Sequence, residues 1–273
     1  MLARPFLIAG PCVLEEPDLA LRVAAAVQAA CARHGLDYVF KASYAKENRT
    51  AGDSPRGPGL EAGLAQLARV RRDVGVRVLT DVHAVDQIPA AAEVVDILQI
   101  PAFLCRQTPL LEAAAASGRA INIKKGQFLA MDDLGRAVEK VRARRPQADV
   151  LVTERGTFFG YHDLVVDMRA IAYMRTLPAR VVFDVTHSLQ HPGRGGARAF
   201  ARPLARAGLA AGAEGLFVET HPDPARAWSD ATTQLPLSAV PALIEEWGRL
   251  ARLVAELEAS GPAGLSPWDG EER

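Results

Sequence analysis

The sequence predicts a single-domain α/β protein, a (β/α)8 TIM barrel. Three observations carry this expectation. Eight short, nearly continuous apolar runs alternate with longer Ala/Leu/Arg segments of helical period. The 273 residues suit eight such repeats, since barrels of this kind run to roughly 250 residues as one domain. No stretch is rich enough in Gly, Pro or Ser to divide the chain. The rival is an open doubly wound sheet. Its dinucleotide-binding version is weakened because no G-x-G-x-x-G follows the first strand.

The expected strands are Phe6–Gly10, Tyr38–Ala42, Val76–Asp81, Ile97–Ile100, Ala120–Lys124, Val150–Thr153, Val181–Asp184 and Gly215–Glu219. They are short and often β-branched, as strands covered on both faces are. Between them, Asp18–His34 stops at Gly35, Leu60–Val74 at Gly75 and Pro109–Ser117 at Gly118. Asp132–Arg145 stops at Pro146, Asp163–Thr176 before Pro178 and Ala197–Ala211 at Gly212. Ala84–Val94 is interrupted by Pro89, and Leu237–Glu258 closes the series. The polar, Gly/Pro-rich segment Ser43–Gly59 reads as a long loop after the second strand. The expected barrel domain covers residues 1–258, with 259–273 a frayed tail.

Composition excludes several classes. With 49% hydrophobic and 23% charged residues the chain is neither disordered nor fibrous. Lys+Arg and Asp+Glu are both 32, so the basic excess of a nucleic-acid binder is missing. Three cysteines, Cys12, Cys31 and Cys105, lack paired spacing, which points to a reducing compartment. The first residues lack a signal-peptide pattern, and no apolar run reaches the length of a membrane span. The expectation is a soluble, cytoplasmic protein with no nucleic-acid or membrane partner.

Barrel active sites lie at the carboxyl ends of the strands, so polar residues there are the candidates. They are Cys12 after strand one; Lys41, Ser43, Lys46, Asn48 and Arg49 after strand two; and Asp81 and His83 after strand three. Gln99 and Arg106 follow strand four, Lys124 and Lys125 strand five, and Glu154 and Arg155 strand six. Asp184 and His187 follow strand seven; Glu219, His221 and Asp230 follow strand eight. Closure puts strands seven, eight and one side by side, which brings Cys12, His187, Glu219 and Asp230 together. A thiolate, an imidazole and two carboxylates suit one divalent metal ion, and the sulfur favours zinc or iron over magnesium. Manganese and cobalt also fit these donors. Lys41, Lys46, Arg49, Arg106, Lys124 and Arg155 form a cationic set for an anionic substrate, with room for two phosphates and a carboxylate. Only five residues are Lys (41, 46, 124, 125 and 140) and 27 are Arg, so the paired lysines stand out.

The segments FLIAGPCVLE (6–15), FKASYAKENRT (40–50), VLTDVH (78–83), DILQIPAFLCRQT (96–108), INIKKGQF (121–128), TERGTFFGYHDLVVDMR (153–169), VVFDVTHSLQHPG (181–193) and FVETHPDPARAWSDATTQLPL (217–237) carry a family resemblance. From about residue 6 to 258 the chain resembles 3-deoxy-D-manno-octulosonate 8-phosphate synthase, also called 2-dehydro-3-deoxyphosphooctonate aldolase. The resemblance implies condensation of phosphoenolpyruvate with arabinose 5-phosphate and water, with release of phosphate, in lipopolysaccharide precursor synthesis. It also implies a (β/α)8 barrel assembled as a homotetramer. The family has metal-dependent and metal-independent branches, with Cys and Asn respectively after AGP; Cys12 is similar to the first.

By motif, the resemblance implies Lys41, Ser43 and Lys46 at the phosphoenolpyruvate carboxylate. It implies Lys124 and Arg155 at the phosphate, helped by backbone N–H near Ala102. Gln99 joins this substrate-binding set. Asn48, Arg49 and Thr50 would bind arabinose 5-phosphate, with Thr50 where the family usually has Ser. Arg106 would reach the sugar phosphate of a neighbouring subunit, although Pro109 stands where an acidic residue is common. His187, Glu219, Asp230 and Asp81 are the candidate proton carriers. Three rivals remain. One is a related barrel synthase using erythrose 4-phosphate, one is a Schiff-base aldolase through Lys41 or Lys124, and one is a phosphate-binding barrel without catalysis.

Overall fold

A computed structural model describes residues 2, 3, 5–47 and 54–260. Eight parallel strands form a closed barrel: β1 (Phe6–Gly10), β2 (Asp37–Lys41), β3 (Arg77–Asp81), β4 (Ile97–Ile100), β5 (Ala120–Lys124), β6 (Val150–Glu154), β7 (Arg180–Asp184) and β8 (Gly215–His221). Neighbours in sequence are neighbours in the sheet, and β1 pairs with both β2 and β8. The register Gly10↔Glu219 sets the end of β1 against the end of β8.

Around it run α1 (Pro17–His34), α2 (Leu60–Val74), α3 (Ile88–Val94), α4 (Thr108–Ala116), α5 (Leu134–Arg144), α6 (Met168–Met174), α7 (Ala201–Ala210) and α8 (Val240–Ser260). The first two helices stop at Gly35 (φ 71°) and Gly75 (φ 73°), where left-handed backbone lets the next N–H turn back onto the helix.

The period of two along each strand sorts side chains into two apolar layers. Phe6, Ile8, Val39, Leu79, Ile97, Leu151, Val182 and Phe217 fill the barrel interior. Their neighbours, among them Leu7, Phe40, Val78, Leu98, Ile123, Val152, Phe183 and Val218, pack beneath the helices. Helix α7 comes so close to β7 that a Cβ on Gly208 would lie 2.4 Å from the Phe183 ring.

The structure departs from expectation mainly at helix starts. The helix expected over Asp163–Thr176 is only Met168–Met174. The apolar pair Leu164–Val165 instead forms a two-residue antiparallel strand against Thr157–Phe158. Asp167 then caps the helix, accepting from the Arg169 N–H at 3.0 Å. Short 3-10 turns at Val85–Gln87, Arg198–Phe200 and Leu237–Ala239 precede α3, α7 and α8. Helix α8 reaches Ser260, two residues past its expected end, and the rest of the expected tail lies outside the described residues. Among the described residues no helix is long and apolar enough to cross a membrane.

Candidate active site at the barrel mouth

The strand period that buries Val39, Leu79, Val182 and Phe217 inside the barrel aims the residue two places further on at its mouth. Those residues are Lys41, Asp81, Asp184 and Glu219, all buried. The same parity brings Gln99, Asn122, Lys124, Thr153 and Arg155 inward. A polar layer results, in which Thr153 Oγ1 donates to Asn122 Oδ1 (2.6 Å) and Asn122 Nδ2 donates to Gln99 Oε1 (2.9 Å). Above it opens a cavity of about 880 Å³. Lys41, Lys46, Lys124 and Arg155 line it together with Asp81, Gln99, Ala102, Asp184, His187 and Asp230.

Three of the four expected metal ligands converge. Donor atoms of Cys12, Glu219 and Asp230 lie within 4.8 Å of one another. The fourth stands beside them, with His187 Nε2 at 3.8 Å from Glu219 Oε1. Its Nδ1 lies 2.8 Å from Asp184 Oδ2, and its backbone N–H donates to Asp184 Oδ1 (2.9 Å), so the ring is held with Nε2 toward the cluster. Asp230 sits at φ 51°, left-handed backbone uncommon for a non-glycine residue. A turn fixes it: its carbonyl accepts from the N–H groups of Thr233 (3.0 Å) and Gln234 (2.9 Å).

The donor set fits a divalent cation. Glu219 Oε2 is buried with no hydrogen-bond partner among the described residues, a costly arrangement unless a ligand completes it. Burial and the Asp230 and Glu219 carboxylates push the Cys12 thiol up, and it donates to Asp230 Oδ2 at 3.0 Å. A bound cation would replace that proton, since only the thiolate ligates.

Electrostatics hold the acids ionised. Burial raises the Glu219 carboxyl, but Lys41, His187 and Lys46 outweigh it and keep it below its ordinary value. Asp81 and Asp184 follow the same logic, drawn down against burial by hydrogen bonds and cations. Burial opposes charge on Lys46 as well, yet Cys12, Asp81, Glu219 and Asp230 together hold its ammonium above its ordinary value. Lys124 goes the other way. Burial draws it down although it pairs with Asp184, and its Nζ sits 3.1 Å from the centre of the Phe217 ring. Lys41 donates to Glu219 Oε1 (2.8 Å) and the Cys12 carbonyl (3.0 Å). Arg155 Nη2 donates to Gln190 Oε1 (2.7 Å), while Nη1 is buried without a partner among the described residues.

Several sequence-level candidates behave differently. Ser43 Oγ donates to Asp81 Oδ1 (2.6 Å) and is not part of the cavity lining. Lys125 and Glu154 have the opposite strand parity to Lys124 and Arg155. They meet outside the barrel, 3.7 Å apart. Arg106 is exposed and does not line the cavity; its carbonyl accepts from Lys140 Nζ. Asn48, Arg49 and Thr50 lie outside the described residues. Cys31 and Cys105 are buried in the shell beneath the helices.

Sequence reasoning missed Asn122 and Gln190. Asn122 was readable, because it lies two places before Lys124. Gln190 lies in a two-residue strand too short to show a period. Its Nε2 donates to Asp230 Oδ1 at 2.7 Å. His191 also lines the cavity wall.

Comparison with known proteins agrees with this architecture. The model of the DAHP synthetase I family matches residues 3–256. The 2-dehydro-3-deoxyphosphooctonate aldolase of Aromatoleum aromaticum is 52% identical over 255 residues, covering 91% of each chain. That of Dechloromonas aromatica is 52% identical over 266 residues, covering 95% of this chain and 94% of its own. That of Syntrophobacter fumaroxidans is 48% identical over 274 residues, covering 98% and 95%.

Proposed function

The chain belongs to the DAHP synthetase I family, and from that premise we propose that it is a 3-deoxy-D-manno-octulosonate 8-phosphate synthase of the metal-dependent kind. It condenses phosphoenolpyruvate with D-arabinose 5-phosphate and water and releases inorganic phosphate. The name shared by relatives about half identical over nine-tenths of the chain supports this reading. The observation that carries it is the cavity itself. Four cations line one wall system, and the Cys12–Glu219–Asp230 cluster lies at the same strand ends.

Two polyanions must approach one another here, and Lys41, Lys46, Lys124 and Arg155 screen that repulsion. Holding C3 of phosphoenolpyruvate against the aldehyde contributes roughly 7–11 kcal/mol of the barrier through orientation. Arg155 presents its Nη1, unpartnered among the described residues, and Lys124 its ammonium, to the phosphoryl group. Lys41 and Lys46 take the carboxylate side; Ser43 acts behind them by fixing Asp81. Gln99 and the backbone near Ala102 border the same subsite. Asn48, Arg49 and Thr50 follow β2 and take the sugar. Arg106, exposed, serves a neighbouring copy.

A divalent cation held by Cys12, His187, Glu219 and Asp230, with zinc or iron the preferred ions and manganese or cobalt admissible, supplies Lewis-acid polarisation. In the reaction C3 bonds to the aldehyde carbon, whose oxygen takes up a proton. Water adds to C2 and loses a proton. The C2–O bond to phosphate then breaks as the new C2 hydroxyl gives up its proton and becomes the ketone, and phosphate leaves with its bridging oxygen into the grip of Lys124 and Arg155. His187, oriented by Asp184, Asp81, paired with His83, and the carboxylates of Glu219 and Asp230 are the groups placed to carry those protons.

The exposed aromatics Phe103, Phe128 and Phe158 around the mouth support self-association, as the proposed homotetramer requires. Three buried free cysteines support a cytoplasmic setting. The barrel domain then extends to Ser260, the end of α8. The decisive experiment offers phosphoenolpyruvate with arabinose 5-phosphate or erythrose 4-phosphate and follows phosphate release before and after chelation, with elemental analysis of the protein. Preference for erythrose 4-phosphate, or full activity in chelator, refutes the reading.

A further inference from the structure

Gln190 touches two charged groups, one through each end of its amide. Its Oε1 accepts from Arg155 Nη2 and its Nε2 donates to Asp230 Oδ1, both at 2.7 Å. Arg155 Nη1 is buried without a partner among the described residues, whereas Asp230 Oδ2 accepts from Cys12 Sγ (3.0 Å) and Ser229 Oγ (2.9 Å) within the three-residue cluster. One neutral amide thus bridges a guanidinium and a carboxylate that would otherwise attract each other directly.

The amide itself is held in place. Gln190 pairs with Gly196 and His191 with Gly195 in a two-residue antiparallel ribbon. A Cβ on Gly196 would lie 2.7 Å from the Leu189 carbonyl and 2.2 Å from Thr233 Cγ2. The ribbon therefore rests on the turn that holds Asp230.

We propose that Gln190 is a positioning residue that keeps Arg155 and Asp230 apart, so that the anion site and the cation site exist together. This rests on the reading above, in which Arg155 meets phosphate and Asp230 meets the metal. Without the amide, the guanidinium turns onto the carboxylate, and each site loses its charge to the other. Hydrogen bonds to charged groups are strong enough that their loss weakens each site by about tenfold or more.

The test uses Gln190→Met, similar in length but unable to hydrogen-bond at either end in this way. Chelator-stripped full-length protein is titrated with Co2+, followed by the cobalt–thiolate absorption band of Cys12. Phosphoenolpyruvate alone is titrated by calorimetry, and thermal melting checks the fold. The variant is expected to need at least about tenfold more of each ligand, with its melting midpoint close to that of the parent. The double variant Gln190→Met/Arg155→Met is expected to regain most of the Co2+ affinity, because the competing cation is gone. A merely structural role predicts no such rescue. Should Gln190→Met melt below the assay temperature, Gln190→Asn, with an amide one methylene too short to reach both groups, carries the same expectation and the same rescue. Unchanged affinities, or a double variant no better than the single one, overturn the proposal. Failure of the parent protein itself to give the cobalt–thiolate band overturns the metal reading first and this inference with it.

Discussion

Adjacent lysines at the end of β5 face opposite ways, and exchanging each for Met should separate stability from catalysis. Lys125 is 1% exposed. Its ammonium donates to Thr157 Oγ1 (2.8 Å) and to the carbonyls of Gly126 and Gly156 (each 3.3 Å), and it pairs with the buried Glu154 at 3.7 Å. Lys125→Met keeps the volume of the side chain but leaves the Glu154 charge buried. Its Oε1 still accepts from the backbone N–H groups of Arg155 and Gly156, while its Oε2 already lacks a hydrogen-bond partner among the described residues. Breaking a buried pair from one side costs about 3–5 kcal/mol. For a chain of this size each kcal/mol moves the midpoint by roughly 2–4 °C, so melting should fall by about 6–20 °C. Activity of the folded fraction at low temperature should stay near that of the parent. Lys124→Met should do the reverse. Asp184 keeps its His187 contacts, so melting changes less, whereas kcat/KM for phosphoenolpyruvate falls by about two orders of magnitude or more. Differential scanning calorimetry and a phosphate-release assay on both variants decide. Loss of activity without loss of stability in Lys125→Met would refute the parity argument.

Further predictions concern pH, metal and packing. Burial draws the Lys124 ammonium down to about 8, so kcat/KM for phosphoenolpyruvate should decline above about pH 8 as the cation is lost. The stability contribution of Lys124 runs the other way. Its folded value lies below the unfolded 10.5, so the unfolded chain binds more protons between the two values, and stability from this group rises with pH there. A kcat/KM profile flat to pH 10 contradicts this. Cys12→Ala should abolish the cobalt–thiolate band and the metal found by elemental analysis. In the parent, metal affinity should rise with pH, because binding expels a proton from a thiol pushed up by burial. Gly208→Ala would ordinarily gain up to about 1 kcal/mol in a helix. Here the added methyl meets the Phe183 ring and its Cβ (3.0 Å), so overpacking of about 1–3 kcal/mol should win and lower the melting midpoint. A stabilised variant would show that α7 can lift from β7 at little cost.

How much of this was legible in advance differs by element. Strand positions came through within a residue or two, because eight buried runs bounded by Gly and Pro leave few alternatives. Helix starts came through less well. Leu164 and Val165 fit a helical period as readily as a hairpin, and their pairing with Thr157 and Phe158 is a tertiary choice. In the site, Cys12, Glu219 and Asp230 were foreseeable once a closed barrel was assumed. The Ser43 contact with Asp81 was not legible, because a hydroxyl after a strand looks the same whether it meets ligand or carboxylate.

The amino-acid order alone determined the repeating β/α pattern, and with it the rim on which the chemistry stands. It also determined parity: of two consecutive lysines, only one can enter the barrel, because a pleated strand turns successive side chains to opposite faces. Tertiary structure decided what each inward group meets. The pairing of Lys41 with Glu219, the hold of Asp184 on His187 and the span of Gln190 from Arg155 to Asp230 join residues 178, 3 and 35 to 40 positions apart. Except for the local Asp184–His187 contact, these depend on barrel closure and loop packing, which no local periodicity encodes.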